Sequence, residues 1–165
     1  MSIAIAELQR LDKVLPANKE LYLVMKTPGG SVIDGMDLIR AVSHLRHKVV
    51  TVSIHAISMG FQFAQALPGP RYVLSTGIIM THPIAGGCQG RAIEVESCLN
   101  FMRELAQSLD VIAAARMKMS LADYQKKSSE EWWAVGQGAV DLGMADEVVD
   151  IKCDSSLNDK DRCPY

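Results

Sequence analysis

Three features of this chain predict an α/β fold in which helices flank a parallel sheet. Near-continuous apolar runs of strand length stand at 21–25, 49–54 and 78–81, the pattern of strands covered on both faces. Segments with apolar residues at helical spacing alternate with them. Turns rich in glycine and serine follow the strands, at Thr27-Pro28-Gly29-Gly30-Ser31 and Ser58-Met59-Gly60. Strand–helix alternation of this kind closes through right-handed crossovers.

The first helix spans about 3–15, with Ile3, Leu8, Leu11 and Leu15 on one stripe and Pro16 as its stop. Leu21-Tyr22-Leu23-Val24-Met25 is the first strand, and its Gly29-Gly30 turn opens backbone conformations closed to other residues. Asp34 to His47 carries Met36, Ile39, Val42 and Leu45 at helical spacing. The strand at 49–54 precedes a helix from Met59 to Ala66, broken by Leu67-Pro68-Gly69-Pro70. Arg71 to Leu74 and 78–81 read as two strands separated by the turn Ser75-Thr76-Gly77. A flexible glycine-rich link, 84–90, leads into the longest helical pattern, about 91–117. Ser120 is an N-cap with Asp123 placed for a capping box, in which a shorter acid replaces the usual Glu. Trp132 and Trp133 supply apolar contacts, and 142–149 reads as a helix end, a turn and a short last strand. The chain is expected to be one domain over 1–165, with a loose polar tail at 154–165.

Composition narrows the function. A 165-residue chain is large enough to bury roughly 70% of its unfolded surface. The net charge of -2, with no basic block, argues against nucleic acid. No apolar run is long enough for a membrane span, and the N-terminus lacks the pattern of a signal peptide. Cys88, Cys98, Cys153 and Cys163 are widely spaced, with no C-x-x-C pair, and read as reduced thiols of a cytoplasmic protein. No cofactor is implied: Gly29-Gly30 lacks both the dinucleotide and the phosphate-loop spacing. No metal set is implied either. His44 and His47 stand three apart without further ligands and suit a wetted helix end.

The chemistry gathers at the carboxyl ends of the strands, where α/β folds place their active residues. Ser58 stands where a strand hands over to a helix, beside free backbone N–H groups that can stabilise negative charge. His82 ends another strand and can serve as its base. The N–H groups of Gly30 and Met59 can form an oxyanion hole. His55, three residues before Ser58, is a poorer base because a strand does not bring it round. For each residue a structural role is the alternative: Ser58 as a helix cap, His82 as a hydrogen-bonding side chain, Gly29-Gly30 as a plain turn.

Taken together, Thr27-Pro28-Gly29-Gly30-Ser31-Val32, Ala56-Ile57-Ser58-Met59-Gly60, Met80-Thr81-His82-Pro83 and Gly86-Gly87-Cys88-Gln89-Gly90 resemble the proteolytic subunit of the ATP-dependent Clp protease. The similarity runs over roughly 3–150, in the right order and spacing. It implies a ClpP/crotonase-like fold of repeated β-β-α units with a protruding handle helix, and a serine endopeptidase acting on unfolded proteins or peptides. It implies Ser58 as nucleophile, His82 as base, and Gly30 and Met59 as oxyanion donors. Residues 83–117 match the strand-and-helix handle that interleaves heptameric rings stacked as a tetradecamer. A ring-shaped AAA+ unfoldase is the implied partner.

Two departures accompany the resemblance. The position matching the family's triad aspartate holds Lys127. A triad acid fixes the imidazole tautomer, and its loss can cost about 10⁴ in rate. Three arrangements stay open: Glu130 or Glu131 reaches His82, a backbone carbonyl or water orients the ring, or the subunit is weak or inactive. A Ser58–Lys127 dyad is the least favoured chemistry. The chain also starts at the helix that follows the family's usual N-terminal segment, as expected of a shortened form, which puts ATPase docking in question. The alternative functions are therefore a catalytically silent ring subunit with an assembly role, and acyl-CoA chemistry, which would leave the Ser58–His82 pair unexplained.

Overall fold

A computed structural model describes residues 2–152. Its elements are α1 (Ser2–Val14), β1 (Leu21–Thr27), α2 (Val32–Ser43), β2 (Val49–Ile57), α3 (Met59–Ala66), β3 (Arg71–Thr81), α4 (Ala92–Arg116), α5 (Leu121–Lys127), β4 (Trp132–Val135), α6 (Gln137–Asp141) and β5 (Glu147–Val149). The expected loose tail, Cys153, Cys163 and the side chain of Ile3 lie outside the described residues.

The sheet is open and only partly parallel. β1, β2 and β3 run parallel in that order. Two short strands share the far edge of β3: β5 pairs parallel with its first half, and β4 antiparallel with its last four residues. The parallel-sheet expectation therefore holds for the centre and gives way at this edge. β4 escaped sequence reading because four residues carry too little periodicity; their pairing with 78–81 makes them a strand.

The two strands expected at 71–74 and 78–81 are one, β3. Against β2 the register jumps from Ser53↔Val73 to His55↔Ile78, so residues 74–77 bulge between two paired stretches. The turn signal of Ser75-Thr76-Gly77 is real, but it is spent on a bulge. Gly77 is required there, because a Cβ would lie 2.6 Å from the Ser53 carbonyl oxygen.

β2 is the most buried strand and α3 the most buried helix, with Met59 through Gln65 all inside. The polar members of α3 are tolerated because they are bonded. Gln65 donates to the Met144 carbonyl at 2.9 Å and accepts from Arg71, whose guanidinium also reaches Asp146 at 2.5 Å. Around α3 the core gathers Phe61, Leu67, Val73, Ala113, Tyr124 and Met144.

α4 is 25 residues long, about 37 Å at 1.5 Å per residue. Its fully buried residues, Leu109, Ala113 and Ala114, lie in its last third, while Ile93, Leu99 and Phe101 are exposed towards its start. The first part of the helix thus carries apolar side chains that the single chain leaves exposed. The expected strand half of the handle is not seen in the single chain, where 82–90 holds no strand. The link folds back on α4 instead. A Cβ on Gly86 would meet the Met102 methyl at 2.8 Å, and Cys88 is disulfide-bonded to Cys98 with 6.0 Å between Cα atoms. The expectation of reduced thiols is corrected for this pair, because the fold-back brings together two cysteines ten residues apart.

His47 also departs from expectation. It is buried, whereas His44 caps α2 in solvent. Nδ1 of His47 meets Asp12 at 2.7 Å and Nε2 meets the Pro16 carbonyl at 3.0 Å. Both partners are acceptors, so the ring carries both protons. Asp12 further accepts the backbone N–H groups of Arg46 and His47, tying α1 to the entry of β2. The hydrogen bond to Asp12 raises the His47 pKa, and the same bond holds Asp12 far below the usual carboxylate range.

The signs fix a pH window for this pair. The His47 contribution is full below its ordinary value of 6.5 and is lost as pH rises through the raised one. The Asp12 contribution is full above its ordinary 3.8 and is lost as pH falls through the depressed one. The melting temperature should therefore decline as pH rises above neutrality, and Asp12→Asn should melt lower than wild type while losing that alkaline decline. A wild-type melting temperature as flat with pH as that of Asp12→Asn would contradict the assignment.

Candidate active site

β2 and β3 are parallel neighbours, so their carboxyl ends open on the same edge. Ser58 follows β2 directly, and its N–H donates to the Met80 carbonyl of β3 at 2.8 Å. His82 comes two residues after Met80. This pairing brings its Nε2 to 2.8 Å from the Ser58 Oγ.

Ser58 is held at φ 56°, ψ −119°, one of only two described non-glycine residues with positive φ. Such a conformation costs about 1–3 kcal/mol and persists where the surroundings over-determine it. Here the chain must reverse from a buried strand into a buried helix within one residue, which turns the hydroxyl outward. Ser58 makes no side-chain cap to α3, so the capping alternative fails and its hydroxyl is left to His82.

The Gly29-Gly30 turn crosses over this elbow. Gly29 has φ +95°, and a Cβ there would lie 2.7 Å from the Ser58 Cβ and 2.8 Å from the Ile57 carbonyl oxygen. Gly30, at φ +145°, faces open space. Among the described residues, neither the Gly30 nor the Met59 N–H donates a hydrogen bond. Both stay free for an acceptor in the cleft, the requirement for stabilising an oxyanion.

A brace on Tyr124 supports the pair, and nothing in the sequence reading singled it out. Its hydroxyl, fully buried, accepts from Gln62 Nε2 at 3.1 Å and lies 3.1 Å from Thr81 Oγ1. Gln62 is one turn beyond Ser58 and Thr81 immediately precedes His82, so one phenol links the carriers of both. Burial raises the Tyr124 pKa, keeping it neutral and able to donate.

The residues proposed to orient His82 stand elsewhere. Glu130 and Glu131 are exposed in the turn between α5 and β4, where Glu131 accepts the Trp133 indole N–H at 3.0 Å. Lys127 places its ammonium 5.2 Å from the centroid of the Trp132 ring, which leaves it outside the cleft wall. Among the described residues, the His82 Nδ1 has no hydrogen-bond partner.

Ser58, Met59, His82 and Gly30 line a cleft of about 480 Å³, closed on its far side by α4 and α5. That wall contributes Ala106, Leu109, Asp110, Gln125, Ser128 and Ser129. Asp110 had a sequence signal: it interrupts the apolar stripe Ala106–Ala113 on the inward face of α4. Among the described residues, no cluster of His, Cys, Asp or Glu could hold a metal, and no helix is long and apolar enough to cross a membrane. A family model described as Clp protease matches residues 2–152.

Two substitutions test this geometry. Gly29→Ala combines a disfavoured φ with a backbone clash and should destabilise by more than about 1 kcal/mol in denaturant melts. Tyr124→Phe leaves two buried partners without their common hydroxyl and should cost about 1–3 kcal/mol. A Tyr124→Phe variant as stable as wild type would contradict the bracing role of the phenol.

Proposed function

Because the chain belongs to the Clp protease family, we propose that it is a serine endopeptidase that hydrolyses peptide bonds of unfolded proteins or peptides. The observation that carries this reading is the 2.8 Å contact between Ser58 Oγ and His82 Nε2 at a strained strand-to-helix turn. Ser58 attacks the peptide carbonyl as Nε2 takes its proton. The N–H groups of Gly30 and Met59 hold the developing oxyanion. His82 then gives its proton to the departing amine, and water hydrolyses the acyl-enzyme by the same route in reverse.

In this reading the rings are heptameric and stacked, with α4 at the contact between them and an AAA+ unfoldase as supplier of substrate. Assembly would give the link before α4 the strand neighbour that a single copy lacks. The site of action is the cytoplasm, where the Cys88–Cys98 bond would meet cellular reductants. Glu130 and Glu131 serve His82 only if the α5–β4 turn rearranges on assembly.

A second reading, a weak or silent ring subunit, is favoured by two observations: the His82 Nδ1 lacks an acceptor among the described residues, and Lys127 stands where the family has its aspartate. Without an acceptor the productive tautomer is unsupported, a defect worth about 10⁴ in rate. Reaction with a fluorophosphonate probe, read by intact mass, separates the two. The peptidase reading expects a single adduct on the assembled protein that is lost in Ser58→Ala. A folded, assembled protein that stays unlabelled would favour the silent subunit.

A further inference from the structure

The wall facing Ser58 is rich in acceptors and poor in donors. Asp110 is the one acid among the residues that line the cleft. Among the described residues its carboxylate accepts one hydrogen bond, from Gln125 Nε2 at 3.1 Å, and burial raises its pKa. The side-chain donors around it each already serve another acceptor, with one Gln62 N–H left over. Gln125 Nε2 also serves Gln107, Gln62 Nε2 serves Tyr124, Ser128 Oγ donates to the Tyr124 carbonyl, and Ser129 Oγ donates to the Lys126 carbonyl. Gln62 Oε1, on the α3 side of the same cleft, has no hydrogen-bond partner among the described residues. The two lysines of α5 are not among the lining residues.

A half-desolvated carboxylate with one neutral donor is under-satisfied, and a cation with several N–H groups is its natural complement. Val32, Ile84, Ala106 and Leu109 in the same cleft offer apolar surface to an aliphatic stem. We infer that Asp110 makes this cleft a subsite for a basic side chain, lysine or arginine, beside the scissile bond. The subsite deepens the peptidase reading and rests on it for its place beside a cleaved bond; the preference for a cation rests on the cleft lining alone.

The test uses the assembled protein and two fluorogenic peptides identical except for Arg or Leu before the cleaved bond. p-Aminobenzamidine fluorescence reports cation binding without any hydrolysis. Wild type should favour the Arg peptide in kcat/KM and bind p-aminobenzamidine saturably. Asp110→Asn, nearly isosteric, should shift the Arg-to-Leu ratio about ten- to hundred-fold towards Leu and weaken p-aminobenzamidine binding at least about ten-fold, the range expected for a hydrogen bond to a charged group.

A wild type that favours the Leu peptide, or an Arg-to-Leu ratio indifferent to Asp110→Asn, overturns the inference. The wild-type ratio decides even if the variant fails to fold. If no peptide is cut and Ser58 is not labelled, the peptidase reading falls by itself. Binding of p-aminobenzamidine that depends on Asp110 then still supports a cation subsite, and absence of binding overturns it.

Discussion

The pairing of β2 with β3 is the constraint on which the site depends. A parallel ladder puts both carboxyl ends at one edge, and the Ser58 N–H to Met80 carbonyl bond fixes how far each strand extends there. A slip of one residue would turn every side chain of β2 to its other face. The bulge at 74–77 absorbs the difference in length between the two strands before the site is reached. The last stretch, His55↔Ile78 to Ile57↔Met80, is consequently in register when it delivers Ser58 and His82.

That register also explains how the protein tolerates a strained serine. An elbow at φ 56° would relax if its surroundings allowed it. On one side the Gly29 backbone passes so close that no Cβ fits between, and on the other α3, buried from Met59 to Gln65, holds the exit. Gly60 lets α3 approach β1, since a Cβ there would lie 2.5 Å from the Thr27 methyl. Tyr124 then links the helix to the strand through Gln62 and Thr81. Ser58 is held by packing from several sides, and the Gly29, Thr27 and Tyr124 contacts involve residues far apart in the chain.

Much of this was legible along the chain. Apolar runs of strand length gave β1 and β2, helical spacing gave α1 to α4, and Ser120 does cap α5 by accepting the Asp123 N–H. The reciprocal half of that capping box fails: the short Asp123 side chain takes the Ser120 hydroxyl proton at 2.6 Å. His47 was misread because its partner Asp12 lies 35 residues away and leaves no local trace. Cys88 and Cys98 were misread because spacing says nothing of a link that folds back. Tyr124 looked like one more residue of an amphipathic helix, since a phenol's role depends on which strangers its hydroxyl meets.

The sequence by itself determined the alternating architecture and singled out Ser58, His82, Gly30 and Met59 as candidates at strand ends. Periodicity and turn chemistry are local, and motif residues sit where strands end. Only the tertiary structure decided that the Ser58 and His82 side chains meet at hydrogen-bond distance, and that Glu130, Glu131 and Lys127 stand away from them. It also decided that Asp110 of the long helix faces the same cleft. Those facts follow from strand register and helix packing, which are set by the whole core and which no short stretch of sequence encodes.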